Sequence, residues 1–422
     1  MEHHAKIRYE RAMVILFFFT WGFTFFNRLS INFVMPVIMD DLHLSSSDVG
    51  LVAFVSTITL AFSSIIFGRL SDRQGLRKRF LVPAVLTVSV FTLLSFFAHS
   101  FMALLILRGL VGVGLGPILP MIMSLNQSAS SENKLGRNTG FILTGDAILA
   151  STLGPVIITQ LTNHFSWQTT LVISGIPALV MGWLVLKHIK EIDSAASLEE
   201  SRDPQAEALP VQQVLKYPNI ALCFILTVLT IGAFFIIVTY APLYLTEVEG
   251  YSVSSMGVIS SIMGIVYIPF ALSIPRITDK FGRKPVITFT ILLCSVAPLF
   301  MFLFPNTLFS VGAYILFGGL AGTIHVFLNT IIPMESLPDK LKTTGSSLII
   351  ATGEIIGAAG IPFAAGYFAE SYGYAATMLG SAILFLCSFL MAFFLKESNR
   401  SIAKRTAVQP SMIKKVDASV SK

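Results

Sequence analysis

The chain has 422 residues, 54% of them hydrophobic and only 12% charged, with 35 Phe and a formal charge of +6. Soluble domains average about 25% charged residues, and disordered chains combine low hydrophobicity with high charge, so the composition excludes both. With a mean hydropathy of +0.77, an all-α protein crossing a membrane many times is the class that remains.

A hydrocarbon core about 30 Å thick takes roughly 20 apolar residues per helix. Twelve stretches meet that need, over 12–38, 48–70, 79–99, 101–125, 137–161, 167–188, 218–245, 253–275, 285–304, 308–333, 343–367 and 374–395. The first is too long for a cleaved leader, carries Asn27 and Arg28 inside it, and is followed by eleven more. With the N-terminus placed in the cytoplasm, 27 of the 29 Lys and Arg fall in cytoplasmic segments, and the other two, Arg28 and Arg108, lie inside spans. That is the positive-inside pattern. Both termini are therefore expected in the cytoplasm, and the net charge reflects topology with no nucleic-acid partner. The expected division is a cytoplasmic N-terminus (1–11), a six-helix bundle (12–188), a polar cytoplasmic linker (189–217), a second six-helix bundle (218–396) and a basic cytoplasmic tail (397–422). Cys223, Cys294 and Cys387 lie far apart in apolar runs, which suits packing and neither disulfides nor a metal site.

The two halves echo each other. Gly68-Arg-Leu-Ser-Asp72-Arg73-Gln-Gly75-Leu-Arg77-Lys78 follows the second span, and Arg276-Ile-Thr-Asp279-Lys280-Phe-Gly282-Arg283-Lys284 follows the eighth, with Asp and Gly both displaced by 207 positions. Thr144-Gly145-Asp146 in span five and Thr352-Gly353-Glu354 in span eleven are displaced by 208, and each precedes a proline, Pro155 or Pro362. Two echoes at nearly one displacement imply duplication, and a parallel six-plus-six repeat is a known transporter plan.

On these residues the chain resembles the major facilitator superfamily over essentially its whole length, because Gly68 to Lys78 matches that superfamily's loop motif and Leu107-Arg108-Gly-Leu-Val-Gly112 its helix-four motif. Asn27-Arg28-Leu-Ser-Ile-Asn32 and Tyr240-Ala-Pro-Leu-Tyr244-Leu look most like its anion:cation symporter group. The resemblance implies two pseudo-symmetric six-helix bundles working by alternating access. It also implies that Gly68, Asp72, Arg73, Gly75 and Arg77, with Asp279, Gly282 and Arg283, act as a gate. The chain departs from the symporter group in having Asn27 and Leu115 where acids are usual, which leaves the coupling ion open.

Four charges lie inside spans: Arg28, Arg108, Asp146 and Glu354. Each costs about 2.5–3.5 kcal/mol in hydrocarbon on insertion scales, so such groups normally face a cavity or one another. Two guanidiniums from one half form a clamp for a carboxylate or phosphate, and Asn27 and Asn32 flank Arg28. The alternative is that each arginine is permanently neutralised. A carboxylate in low dielectric favours its protonated form, so Asp146 and Glu354 are the candidate proton carriers. In the second half, Tyr240 with Tyr244, and His325 with Asn329, are pairs spaced four apart on a helix face that suit a polar substrate. Gly112-x-Gly114-x-Gly116, Gly136-x-x-x-Gly140 and Gly353-x-x-x-Gly357 read as packing seams.

Phosphate-loop, zinc-binding and nucleophile-elbow motifs are absent, so no enzyme activity, cofactor or metal is expected. The expected protein is a multi-pass plasma-membrane transporter that takes up a small organic anion, such as a sugar acid or another carboxylate, together with protons. Its partners are that anion, protons and the lipid bilayer, and it is expected to act as a monomer. An exporter of drugs or metabolites running by antiport, suggested by Gly154-Pro155, is the alternative.

Overall fold

The computed structural model describes residues 2–131, 133–191 and 211–398. Among them twelve helices are long and apolar enough to cross a membrane. They are α1 (Ile7–Leu42), α2 (Ser46–Gln74), α3 (Lys78–Phe97), α4 (Phe101–Ala129), α5 (Leu135–His164), α6 (Trp167–His188), α7 (Pro218–Val248), α8 (Val253–Phe281), α9 (Arg283–Leu303), α10 (Leu308–Ser336), α11 (Thr344–Tyr372) and α12 (Tyr374–Ala392). Most run a turn or more past the apolar stretch that marks them. Side-chain caps fix where several begin: Ser45, Ser100, Ser166, Ser252 and Thr307 each accept the backbone N–H three residues on, at the starts of α2, α4, α6, α8 and α10. Such a cap is worth about 1 kcal/mol, and all five lie on the face opposite the basic loops, where connections are short.

The halves pack alike. In the first, α4 lies against α2 and α3, and α3 against α6; in the second, α10 lies against α8 and α9, and α9 against α12. Small residues permit the closest approach. A Cβ on Gly112 would collide with Thr59 Oγ1 and the Ser56 carbonyl oxygen, so α2 and α4 touch through backbone. Gly357 meets the Val228 carbonyl oxygen of α7 in the same way. Gly136 and Gly140 do not conform: a Cβ there would meet nothing within 4 Å. They lie at the basic-loop end of α5, and the predicted seam is not formed there.

The duplication reaches the contacts between halves. On the face opposite the basic loops α2 lies on α11, and α5 on α8. In the first seam Gly50 is pressed against the backbone of Phe363, and Gly366 against the Ser46 carbonyl; in the second Gly257 is pressed against Thr159. Gly50 and Gly257, Thr159 and Gly366, and the caps Ser45 and Ser252 are each 207 positions apart. The Phe54–Phe363 ring contact, 5.2 Å between centroids, has as its counterpart the bond from the Val156 N–H to Ser261 Oγ. Hydrogen bonds of Gln160 with Ser254, Ser46 with Tyr374 and Ser47 with Glu370 close the same face.

Among the described residues, four helices contain wide π turns, at Asp146–Leu153, Tyr244–Val248, Phe327–Ile331 and Gly353–Gly360. Three of them lead directly into a proline one residue past the next helix start: Pro155, Pro333 and Pro362. A proline lacks an N–H and its ring clashes with the carbonyl four residues back, and a π turn absorbs both. The α5 and α11 copies begin at Asp146 and Gly353-Glu354, so each intramembrane acid stands where its helix is widened, a placement common at functional sites.

Residues 192–210 of the expected linker and 399–422 of the expected tail lie outside the described residues. The linker's described end is not a bare polar strand: Val211–Leu215 is a short helix whose Val214 is fully buried and reaches toward Gly345 of α11. An apolar side chain offered by a polar segment gains more by packing than by staying solvated.

Gly112→Ala is expected to lower stability by about 1–3 kcal/mol, the usual cost of overpacking, and to lower the detergent-solubilised melting temperature by several degrees. Gly136→Ala fills open space and replaces the poorer helix former, so it should melt at or above wild type. Equal melting of Gly112→Ala and wild type would remove the α2–α4 seam from the account.

Candidate functional site

Arg28 (α1) and Arg108 (α4) line one small cavity, about 50 Å³, enclosed by α1, α2, α4, α7 and α11. Asn32, Ser56, Thr57 and Thr239 supply its other polar walls. Arg108 is 2% exposed, and its Nε and Nη2 have no hydrogen-bond partner among the described residues. Asp146 does not neutralise it. Leaving buried donors unsatisfied costs about 1–3 kcal/mol each and more for a charged group, and an anion in the cavity would supply the acceptors they lack.

Arg28 has a partner from the other half. Its Nη2 lies 3.9 Å from Glu354 Oε2 of α11, too long for a hydrogen bond. Its guanidinium carbon sits 5.3 Å from the centre of the Phe25 ring and 5.4 Å from that of Phe235, so two aromatic faces carry part of the charge. The pair crosses between bundles and is loose enough for a ligand carboxylate to compete with it.

Asp146 lines a second, larger chamber of about 230 Å³ that lies between the halves and shares Leu29 and Phe235 with the arginine cavity. Its Oδ1 accepts the N–H of Ala147 at 2.8 Å. His325 is on the same chamber wall, edge-on to Phe234 at 5.2 Å, with no hydrogen-bond partner for Nε2 among the described residues. Tyr267 and Ser151, neither marked by the sequence, complete the polar part.

The remaining predicted residues are placed elsewhere. Asn27 is fully buried inside the first bundle, where its Oδ1 accepts the Thr92 hydroxyl of α3 at 2.8 Å; being one position from Arg28, it turns about 100° away from the cavity. Asn329 accepts the Thr227 hydroxyl of α7 at 2.9 Å. Tyr240 donates to the Pro362 carbonyl at 3.0 Å, bracing α7 against α11 beside Gly50 and Gly366. The Tyr244 hydroxyl sits between the Met301 carbonyl and Glu249 Oε1, its one proton shared between these two acceptors, and Ser310 donates to the same Glu249 Oε1. Both tyrosines are completely buried struts. Sequence reading also passed over Glu10: it is 3% exposed and ties α1 to Asn138 (2.8 Å), Ser131 (3.0 Å) and Lys134 (3.7 Å) at the basic-loop end.

The two loop motifs are built alike. Gly75 (φ 69°) and Gly282 (φ 103°) turn the chain through conformations that favour glycine. Arg77 bonds Asp72 at 2.6 Å and Ser71 at 2.8 Å; Arg283 bonds Asp279 at 2.6 Å and Thr278 at 2.7 Å. A distant carboxylate caps the following helix in each half. Glu191 accepts the N–H groups of Arg77, Lys78 and Arg79 at 2.7–2.8 Å, and Glu397 those of Arg283 and Lys284 at 2.9 and 3.1 Å. The halves differ at Glu335, which ties Arg283 to α10 at 3.1 Å. The Asp72 side chain is 64% exposed, and Gly68 is open to its surroundings. Arg73 follows Asp72 in the last turn of α2.

Twelve helices of membrane-crossing length in two like bundles around buried charged groups are the architecture of a membrane transporter. The chain belongs to the Major Facilitator Superfamily, which it matches over residues 13–361. It is 26% identical over 350 residues to a probable 4-methylmuconolactone transporter of Cupriavidus pinatubonensis, covering 81% of this chain and 80% of that protein. It is 29% identical over 267 residues to a hexuronate transporter of Bacillus subtilis (61% and 62% covered) and 25% identical to a 3-(3-hydroxy-phenyl)propionate transporter of Escherichia coli (87% and 88% covered). Among solved structures, a point mutant of the nucleoside transporter NupG superposes with a TM-score of 0.78 at 14% identity, over 91% of this chain and all of that one. An inward-facing, occupied bacterial homologue of the lysosomal transporter Spinster gives 0.76 at 13%, over 92% and 97%. These two share the fold.

Glu191→Ala leaves three N–H groups at the start of α3 without their acceptor, and helix-start anions are worth about 0.3–1 kcal/mol beyond the bonds themselves. Trypsin should cut the Arg77–Arg79 loop several-fold faster in this variant than in wild type, read by fragment mapping on purified protein. Unchanged cleavage would show the cap to be dispensable.

Proposed function

We propose that the protein takes up a small organic carboxylate by alternating access, driven by protons, with both termini and the basic loops in the cytoplasm. The observation that carries this reading is Arg108: buried, with two guanidinium nitrogens unpartnered among the described residues, and sharing a cavity with Arg28. Guanidiniums match a carboxylate with two parallel bonds, and three of the relatives above are named for acids or a lactone of one. In this reading the form described is closed toward the exterior by the α2–α11 and α5–α8 seams. Opening on that side requires those seams to part and the basic-loop ends to close.

Proton coupling follows from charge balance. An inside-negative potential opposes anion entry by about 2.3 kcal/mol per charge per 100 mV, so accumulation needs a compensating cation. With Asn27 and Leu115 where acids are usual, Asp146 and Glu354 are the carboxylates within the spans near the cavities. A ligand that takes Arg28 from Glu354 leaves that carboxylate without its partner, and protonation removes the resulting charge. Uptake of one proton and arrival of the anion are then linked at one side chain.

The deciding experiment is thermal stabilisation of the purified protein across carboxylic acids, neutral sugars, phosphates and cationic drugs. Acids alone should stabilise it, whereas stabilisation by cations alone would favour drug export. Arg28→Lys keeps the charge but loses the paired bonds, and since a charge-assisted bond is worth about 1.5–3 kcal/mol, uptake should fall at least tenfold; undiminished uptake would dismiss the clamp. Asp146→Asn or Glu354→Gln should abolish accumulation in vesicles with an imposed pH gradient yet leave binding intact. Accumulation by the double variant would remove both acids from coupling.

A further inference from the structure

The chamber beside the arginines has a chemistry that the anion reading alone does not use. Phe25, Phe33, Phe234, Phe235 and Tyr267 wall it, with Met263 and three glycines filling between them. Its hydrogen-bonding groups are few and gathered: Asp146 and Ser151 on α5, Tyr267 on α8 and His325 on α10. The Tyr314 hydroxyl also reaches the wall, but it is already engaged with Ser260 at 3.2 Å. Arg28 stands beside the chamber, since the Phe25 and Phe235 rings that flank its guanidinium are themselves chamber walls and Phe235 with Leu29 also lines the arginine cavity. A carboxylate held by Arg28 and Arg108 therefore has its body directed among aromatic faces.

We infer that the transported anion is an aromatic carboxylate, with its ring seated in the chamber on the far side of the Phe25 and Phe235 rings that flank Arg28, and its far edge toward Asp146, Tyr267 and His325. The inference rests on the organic-carboxylate reading above and narrows it, setting aside the sugar acids. An apolar cavity of about 150 Å³ holds a benzene molecule, so about 230 Å³ takes a ring with a short side chain. Offset or edge-on contact with phenylalanine rings favours such a ring beyond the area it buries. A sugar acid would bring four or five hydroxyls spread around its ring, whereas the chamber's polar groups are few and the other walls are aromatic and aliphatic, so the hydroxyls facing those walls would go unpaired at a cost. One hydroxyl on the ring's far edge, by contrast, meets an acceptor in Asp146 and an unpartnered ring nitrogen in His325.

The test uses the full chain in lipid nanodiscs, with equilibrium binding and thermal stabilisation by benzoate, 3-hydroxybenzoate, 3-phenylpropionate, galacturonate and uncharged benzyl alcohol. Expected are stabilisation by the aromatic acids at concentrations where galacturonate and benzyl alcohol do nothing, and 3-hydroxybenzoate affinity weakened at least fivefold by Phe235→Ala. Phe25→Leu, which keeps an apolar wall and removes the ring, serves if Phe235→Ala is not monodisperse, and the same fivefold loss is expected of it. Aromatic-acid affinity unchanged in both variants would overturn the seat. Binding of galacturonate, lost in Arg28→Lys, with no binding of aromatic acids, would overturn the inference and leave the carboxylate reading standing. Failure of every acid to bind well-folded wild type would bring down both.

Discussion

A guanidinium at the centre of a membrane demands an answer to its charge, and the structure is organised around the answers it gives. Burying such an ion costs several kcal/mol unless it is paired and hydrogen-bonded. Arg28 has a partial settlement, two aromatic faces and a carboxylate 3.9 Å away on the opposite bundle. Arg108 has less, with Nε and Nη2 unpartnered among the described residues. Complete neutralisation would weld α1 and α4 to fixed partners and leave nothing for a ligand to supply. Incomplete neutralisation keeps the centre electrostatically unfinished, and in the uptake proposed above a carboxylate completes it.

The acids are placed by the same logic. Asp146 and Glu354 stand at widened turns of helices that the duplication makes equivalent, yet they meet different surroundings. Glu354 faces Arg28, whereas Asp146 faces a chamber of rings with Tyr267 and His325. A duplicated scaffold thus gives two sites of unlike chemistry. The asymmetry arises from the neighbours, since a common ancestor half fixed the helix positions but not the side chains later set across from them.

The spans, the basic side, the duplication and the loop motifs were legible because each is a pattern along the chain: apolar runs, Lys and Arg in alternate loops, repeats at one displacement. Arg28, Arg108, Asp146 and Glu354 were legible because charge in hydrocarbon is rare. What escaped depends on rotation about a helix axis or on contacts far apart in sequence. Tyr240 and Tyr244 do share a face, but periodicity does not say which neighbour that face meets, and it meets α9 and α11 rather than the cavity. Glu191 caps a helix start 112–114 residues away. The aromatic chamber was hidden by abundance, because 35 Phe scattered through lipid-facing helices give no contrast to the few that line it. Glu10 was lost to an edge, since α1 begins earlier than its apolar stretch.

The two seams on the face opposite the basic loops are copies of unequal grip. Beside the α2–α11 glycine contacts, Ser47 reaches Glu370 of α11, Ser46 reaches Tyr374 at the start of α12, and the Tyr240 hydroxyl of α7 crosses to the Ser46 carbonyl at 3.5 Å. The position 207 before Tyr240 is Phe33, which has no hydroxyl to give, and the α5–α8 seam holds by Gln160 with Ser254 and by Ser261 with Val156. A pair of bundles fastened unevenly along two edges pivots on the tighter one. Under the alternating access proposed above, the α2–α11 edge is then the hinge line and the α5–α8 edge the lip that lifts, so the first gap opens where Gly264 meets Ser151, two residues that line the same chamber as Asp146 and Tyr267.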